Sequence, residues 1–375
     1  MLIERNLGWL FYIQKYIFLP NYQIPRSKRR LAILSFRFVP IICLNIYAMY
    51  NIFHHIVAKD LSYFGGKSTV SSLMSRFDMI SIKFGVVFIT ILALLKNHQH
   101  LHLLGMYQVF EKKFTEFFEV PSEKFISVLG NIVMVVIIVY NFISNTVFHL
   151  FFISMDGYTF IWYFFHMCNI LLDDITIFYI LGIIHLVSNF MFLFENDPIV
   201  PHDVEIFNIF GTYLEVIERI NSTFGLTIAY IFIRHFFEAW CSLYFALTMA
   251  FWHKWNLTIL LCFIIWATRS ISIVIITAFV CQRCSEKTRA VTKSLGRIYE
   301  NYCGRRYMDF HERSIQFNAQ QFLLQHLHHE TKISAGVLFT INASLVSAIF
   351  SSIATYLVIL LQFEQLEEFL KFSKQ

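Results

Sequence analysis

The sequence predicts an all-helical membrane protein with seven transmembrane helices. Hydrophobic residues make up 57% of the 375 residues, charged residues only 15%, and Phe alone contributes 43. This composition is far more apolar than that of an average soluble domain. The apolar residues are also grouped into runs about as long as the roughly 20 residues that a helix needs to cross a bilayer. We therefore expect a polytopic protein with no separate soluble domain.

Seven apolar runs follow one another along the chain. They cover residues 31–53, 77–95, 125–153, 158–194, 224–252, 257–281 and 333–363. The fourth run is longer than a bilayer needs, so its helix is expected to project from the membrane. The predicted organisation is an N-terminal segment (1–30), six spans with helical extensions (31–281), a basic connection (282–332), a final membrane helix (333–363) and a tail (364–375).

The distribution of Lys and Arg predicts the orientation. About 20 of the 30 basic residues lie in the N-terminal segment and in the second, fourth and sixth loops, and about 6 lie on the other side. The positive-inside rule then places the N-terminus in the cytoplasm and, with seven spans, the C-terminus outside. A G-protein-coupled receptor has the opposite orientation, so the count argues against that class.

The last run carries a polar stripe without any charge. At about 3.6 residues per turn, Ser344, Ser347, Ser351, Thr355 and Gln362 fall along one side of the helix. Such a stripe suits close packing against another helix, or it lines a path for water and ions. Periodicity alone favours the packing seam.

Charged residues also lie inside the predicted spans. There each charge is energetically unfavourable unless it is paired with an opposite charge or in contact with water. The fourth span contains Asp173 and Asp174, the fifth Arg234 and Glu238, and the sixth Arg269, all at similar depths. Ion pairs are expected between Arg269 and one of the aspartates, and between Arg234 and Glu238, which are four residues apart. The network either locks three helices together or forms the floor of a pocket or a gating element.

A small-molecule pocket requires aromatic side chains with a few polar groups. The outer halves of the spans offer a set of such residues, although the same types also serve in packing and in interfacial belts. The candidates are Tyr140, Asn141, Tyr158, Trp162, His166, Trp240 and Tyr244.

The sequence contains little that indicates a metal site, a cofactor, nucleic-acid binding or catalysis. Cys281 and Cys284 have the spacing of a ligand pair, but with Cys303 and His326, His328 and His329 they do not complete a known zinc pattern. Phosphate-binding and hydrolase motifs are missing, and the basic residues do not form one patch. We expect no metal, no cofactor and no enzyme. His98, His100 and His102 are expected on a solvated helix or turn.

The end of the chain resembles the signature of the insect gustatory receptor family. Thr355 and Tyr356 are followed by five apolar residues and then by Gln362 and Phe363. The segment Phe322–His329 and the run Gly336–Phe339 resemble the family's approach to its last helix. The family signature covers about the last fifth of the chain, and the length, span count and orientation agree with it. No marker of a sugar-receptor or carbon-dioxide-receptor subgroup is present.

The resemblance implies a ligand-gated cation channel in the plasma membrane of sensory neurons. Four subunits, identical or mixed with other gustatory receptors, each contribute the last helix to a central pore and respond to a small-molecule tastant from outside. Gln362 is implied at the narrow outer part of the pore, Ile359 and Phe363 near a hydrophobic gate, and Thr355 and Ser351 further in. Lipid is the other implied partner.

Two other classes remain as alternatives. A secondary transporter commonly carries intramembrane Asp and Arg, but no internal repeat or pair of broken helices is evident here. A G-protein-coupled receptor requires the opposite orientation, and the sequence lacks Asp-Arg-Tyr at the inner end of the third run and Asn-Pro-x-x-Tyr in the seventh.

Overall fold

The computed structural model is almost entirely helical. It describes residues 9–10, 28–57, 69–118, 128–156, 160–196, 205–252, 257–303, 313–314, 317, 320–322, 324, 332–336 and 338–372. Within these residues the long helices are α1 Lys28–Val57, α2 Thr69–Leu95, α3 Asn97–Phe117, α4 Val128–Asp156, α5 Phe160–Asn196, α6 Glu205–Trp252, α7 Leu257–Cys303 and α8 Ala343–Phe372. Two short strands, β1 Ser334–Ala335 and β2 Phe339–Thr340, precede α8.

Seven of these helices are apolar in the manner of membrane spans. Among the described residues, α2, α5, α6, α7 and α8 contain segments long and apolar enough to cross a bilayer, judged by length and composition. The other two, α1 and α4, contain shorter apolar stretches, Val39–His54 and Met134–Val147. The remaining helix, α3, is amphipathic, and its buried face packs mainly against α6.

Contacts between distant residues define two ends of the bundle. At one end, the backbone amide of Thr69 lies 3.0 and 3.1 Å from the carboxylate oxygens of Glu367. At the other, the backbone amide of Ala343 donates to Gln282 Oε1 at 2.9 Å. We call the end that holds Thr69 the distal end and the end that holds Ala343 the basal end.

At the basal end, α5, α6 and α7 extend beyond the spans and form a second helical layer with α3. Its core includes the fully buried rings of Phe110, Phe114, Phe190 and Tyr213. The predicted fifth run began at residue 224, but α6 already begins at Glu205. The added turns are amphipathic, with apolar side chains buried and charged ones exposed, so a search for continuous apolar runs does not detect them.

The prediction of a solvated segment around residues 98–102 was wrong for one histidine. His98 and His102 are exposed on α3, but His100 is buried. Its Nε2 atom lies 2.8 Å from the hydroxyl oxygen of Tyr179 on α5. Burial lowers the pKa of His100 to about 4, so the imidazole is neutral at physiological pH.

The last segment differs from the predicted helix 333–363 at both ends. Strands β1 and β2 pair in an antiparallel hairpin, and Gly336 adopts φ 62°, a conformation that favours glycine. The helix begins only at Ala343, where Asn342 Oδ1 accepts a hydrogen bond from the backbone amide of Leu345 at 3.0 Å, as an N-cap residue does. It continues to Phe372, through most of the predicted tail.

The hairpin is held against α6. Asn221 Nδ2 donates to the carbonyl oxygen of Lys332 at 2.8 Å, and its Oδ1 accepts from the Ser334 amide at 3.0 Å. Gly225 lies so close to the hairpin that an added Cβ atom would be 2.6 Å from the Gly336 nitrogen and 3.2 Å from the Ser334 oxygen. Glycine at position 225 is therefore required by the close approach of two backbones.

We predict that Gly225→Ala lowers thermal stability by about 1–3 kcal/mol, because the methyl group meets backbone atoms that cannot move aside alone. The matched control is Gly211→Ala in the same helix, where no atom lies within 4 Å of the added Cβ. There the higher helix propensity of Ala is expected to stabilise by up to about 1 kcal/mol. Thermal midpoints of the detergent-purified variants measure both effects, and equal midpoints would contradict the prediction.

Candidate functional site

Five charged side chains from three helices meet in the interior of the bundle. Asp173 and Asp174 lie on α5, Arg234 and Glu238 on α6, and Arg269 on α7, and each is at least nine-tenths buried. Successive residues of a helix point about 100° apart. The two neighbouring aspartates can therefore serve different partners.

The five groups alternate in sign along one continuous chain, which we call the charge chain. Arg234 forms an ion pair with Asp173, and its Nη2 atom lies 3.3 Å from Glu238 Oε2. Arg269 Nη1 donates to Glu238 Oε1 at 2.6 Å, and its Nη2 and Nε donate to the two oxygens of Asp174 at 2.8 and 3.2 Å. The order is Asp173, Arg234, Glu238, Arg269, Asp174.

Both ion pairs expected from the sequence are present, between Arg269 and Asp174 and between Arg234 and Glu238. The sequence did not predict the pairs that Arg234 makes with Asp173 and Arg269 with Glu238. These two pairs depend on how the helices are rotated about their axes. Through them, Glu238 bridges both arginines.

Neutral polar groups surround the charge chain. Asn141 Nδ2 donates to Asp174 Oδ2 at 2.8 Å. His235 Nδ1 lies 3.4 Å from both Glu238 Oε2 and Ser270 Oγ. The amide of Asn169 is fully buried, and neither of its polar atoms has a hydrogen-bond partner among the described residues. Sequence analysis missed His235, Ser270 and Asn169, although Asn169 lies one helical turn before Asp173.

A further buried basic side chain, that of Lys83, lies between α1, α2 and α5. Lys83 on α2 is fully buried, and its Nζ atom is 2.9 Å from His166 Nδ1 on α5. The same nitrogen atom lies 5.4 Å from the centre of the Tyr47 ring on α1. His166 was a predicted pocket residue, whereas Lys83 had no assigned role.

The structure does not gather the other pocket candidates into one cavity. Tyr140 is exposed on α4, and Asn141 belongs to the shell of the charge chain. Two candidates contact α8 instead: the rings of Trp240 and Tyr356 are 5.5 Å apart, and the Tyr244 hydroxyl donates to Glu364 Oε2 at 2.6 Å. Tyr158 lies outside the described residues, as does the side chain of Trp162.

The polar stripe of α8 faces away from the rest of the chain. Ile353 and Leu357 are buried against the bundle. Ser351, Thr355 and Gln362 are exposed and lie about 160–200° around the helix from Ile353, taking 100° per residue. Ile359 and Phe363, also implied pore residues, are exposed beside the stripe. The stripe is therefore not a packing seam within this chain.

Two carboxylates hold the distal end of α8. Glu364 is buried and accepts hydrogen bonds from Tyr244 and from Thr248 Oγ1, the latter at 3.2 Å, both on α6. Glu367 accepts hydrogen bonds from Thr69 at the N-terminus of α2, where a carboxylate is favoured by the helix dipole. Both glutamates lie in the segment predicted to be a free tail.

Among the described residues, no three His, Cys, Asp or Glu side chains are grouped as metal ligands. Cys281 and Cys284 are buried free thiols on α7. His326, His328 and His329 lie outside the described residues.

We predict that Arg269→Gln destabilises the protein by about 3–5 kcal/mol, because it leaves Asp174 and one oxygen of Glu238 without a cation in a buried site. Arg283→Gln is the control: Arg283 is exposed on the same helix, and its effect is expected within about 0.5 kcal/mol. Adding Asp174→Asn to Arg269→Gln should give less than the sum of the two losses. Thermal unfolding of the four variants measures this, and equal midpoints for Arg269→Gln and Arg283→Gln would refute it.

Comparison with known proteins agrees with this architecture. Residues 200–367 match the 7tm chemosensory receptor family. The fold is similar to that of the insect olfactory receptor OR5 from Machilis hrabei in complex with eugenol, with a TM-score of 0.64 and 11% identity over 96% of this chain and 99% of that one. A second structure of the same receptor gives a TM-score of 0.61 and 11% identity, covering 96% and 98% of the two chains.

No curated protein matches the sequence significantly. The matched family and both matched structures are described as receptors. The family model matches the C-terminal part of the chain, and the structural match shows that nearly the whole chain has a fold similar to that of the Machilis hrabei receptor.

Proposed function

We propose that the protein is a gustatory receptor subunit that binds a small-molecule tastant and opens a non-selective cation pore lined by α8. The observation that carries the proposal is the direction of the polar stripe. Ser351, Thr355 and Gln362 point away from the buried side of α8, as side chains must if several copies of the helix are to surround an ion path. The taste assignment comes from the Thr355-Tyr356 to Gln362-Phe363 ending.

The exposed sides of α8 support assembly into a tetramer, with either identical subunits or other gustatory receptors. Tyr356, Val358 and Phe363 are each more than half exposed. In a protein whose other spans bury much more of their surface, such a helix is the natural site for contact between subunits around a central axis. Lipid covers the remaining apolar surface.

The tastant site in this proposal lies on the distal side of the charge chain. Asn169 on α5 contributes a buried amide that has no hydrogen-bond partner among the described residues. His166 on α5 and Lys83 on α2 contribute a polar pair. A ligand opens the channel only if it binds the open state more tightly than the closed one. The contacts of Trp240 with Tyr356 and of Tyr244 with Glu364 offer α6 two direct connections to the pore helix.

We predict that a suitable tastant evokes a cation current in heterologous cells and that Gln362→Ala changes the conductance or ion selectivity of that current. The reason is that the amide of Gln362 is expected at the narrow part of the pore. Gln108→Ala is the control, since Gln108 is exposed on α3, which is not proposed to line the pore. Single-channel recording distinguishes the two variants.

A panel of sugars and bitter compounds tests the taste assignment at the same time. A current evoked only by volatile odorants would refute it. If Gln362→Ala and Gln108→Ala gave the same conductance and selectivity as the unmodified receptor, α8 would not line the pore as proposed.

The proposed orientation predicts that an epitope tag at the C-terminus is accessible on intact cells and that one at the N-terminus becomes accessible only after permeabilisation. The physical reason is the retention of basic segments in the cytoplasm. Antibody binding before and after permeabilisation measures it, with an antibody to a cytosolic protein as the control for intact membranes. Surface staining of the N-terminal tag would exclude this topology.

A further inference from the structure

A cleft between α2, α3, α5 and α6 lies on the basal side of the charge chain and is separate from the proposed tastant site and from α8. The cleft is partly open to solvent, so a molecule can reach it from outside the bundle. It is lined by Ile89, Leu92, Ala93, Lys96, His100, Thr176, Tyr179, Ile180, Thr223, Phe224 and Thr227.

Two buried hydroxyl groups line this cleft. Thr176 on α5 and Thr223 on α6 are 2% and 4% exposed, and neither Oγ1 atom has a partner among the described residues. A buried hydroxyl without a hydrogen-bond partner is energetically unfavourable. Both groups are therefore available to donate hydrogen bonds to a molecule in the cleft.

The cleft has a positive charge but no negative one. Lys96 follows the last residue of α2, and none of the described carboxylates lies within 4.0 Å of its ammonium group. No Asp or Glu lines the cleft. The imidazole of His100 is hydrogen-bonded to the hydroxyl group of Tyr179. An anionic oxygen group would thus meet one ammonium and at least two hydroxyl donors.

The remaining wall is apolar. Ile89, Leu92, Ile180 and Phe224 supply aliphatic and aromatic surface beside the polar groups. We propose that this cleft binds an amphipathic organic anion, with its carboxylate or phosphate at Lys96, Thr176 and Thr223 and its hydrocarbon part against Leu92, Ile180 and Phe224.

The position of the cleft at the basal end of α2 suits two sources of such a molecule. One is an anionic lipid of the adjoining membrane leaflet, because α2 ends at Leu95, where an apolar span gives way to a polar segment. The other is a free fatty acid or similar organic acid from the aqueous phase. Both present the same anionic oxygens attached to an apolar chain.

Occupation of the cleft has a route to the pore helix. Thr223 and Thr227 face the cleft, while Asn221 and Gly225 on the opposite side of α6 contact the hairpin that leads into α8. A bound anion that shifts this part of α6 would shift the hairpin with it. This regulatory consequence rests on the proposed channel function, whereas binding itself does not.

The test measures binding of radiolabelled dodecanoate to the full chain in phosphatidylcholine nanodiscs, with empty nanodiscs as background and dodecanol as the neutral competitor. We expect saturable binding that dodecanol does not displace. Lys96→Gln should weaken it about tenfold or more, since it removes the charge-assisted hydrogen bond, and Thr223→Val should weaken it several-fold. Lys113→Gln, at an exposed position on α3, is the matched control and should bind as the unmodified protein does.

A second arm identifies the source. Nanodiscs that contain phosphatidic acid are analysed by native mass spectrometry, and a lipid occupant is expected to remain on the unmodified protein and on Lys113→Gln but to be lost from Lys96→Gln and Thr223→Val. Dependence on these residues in either arm supports the proposal. Three outcomes overturn it. Neither arm shows saturable binding, or dodecanol displaces the labelled dodecanoate as well as unlabelled dodecanoate does, or binding is unchanged in Lys96→Gln and Thr223→Val. Because no current is measured, failure here leaves the proposed channel function standing, and the reverse also holds.

Discussion

The buried charge chain is the constraint on which the rest of the bundle depends. Four ion pairs, formed by residues that alternate in charge, join α5, α6 and α7. The residues are, in order, Asp173, Arg234, Glu238, Arg269 and Asp174. Apolar side chains surround long parts of these helices, so hydrophobic packing alone fixes their rotation weakly. Separating any one pair leaves an uncompensated charge in a site of low dielectric constant, which is far less favourable than a small repacking of Leu or Ile. The ion pairs therefore specify how the three helices are rotated and aligned.

Given that alignment, α6 connects the two ends of the molecule. Its 48 residues run from the basal layer to the distal end, and they contact the final segment at both. Near the base, Asn221 and Gly225 hold the hairpin, and near the distal end Tyr244 and Thr248 hold Glu364. Between these anchors α8 buries little more than Ile353 and Leu357. A helix restrained mainly at its ends is the part of the bundle that moves at the lowest free-energy cost.

The sequence predicted the class of fold and the members of the charge chain, because long apolar runs and isolated intramembrane charges are local signals. It predicted the end of α6 and the start of α7, but not where α6 begins or where α7 and α8 end, since the extra turns are amphipathic or charged and fall below any threshold for an apolar run. The burial of His100 and of Glu364 depends on partners 79 and 120 residues away. Likewise, the outward direction of the α8 stripe is decided by which side packs on α6 and α7. Tertiary contacts of this kind leave no periodic pattern in the sequence.

The chain separates two kinds of polar surface. The five charges of the charge chain lie in the interior, each bound by a partner of opposite sign, whereas the outward stripe of α8 consists of hydroxyl groups and an amide. If α8 lines a pore as proposed, that pore offers a passing ion dipoles of modest strength and no fixed charge. It therefore lowers the barrier to entry of a cation without holding one ion type tightly, since strong selectivity requires closely spaced carbonyl rings or charged rings. The interior ion pairs make this arrangement possible, because they satisfy the charges that would otherwise require an aqueous path.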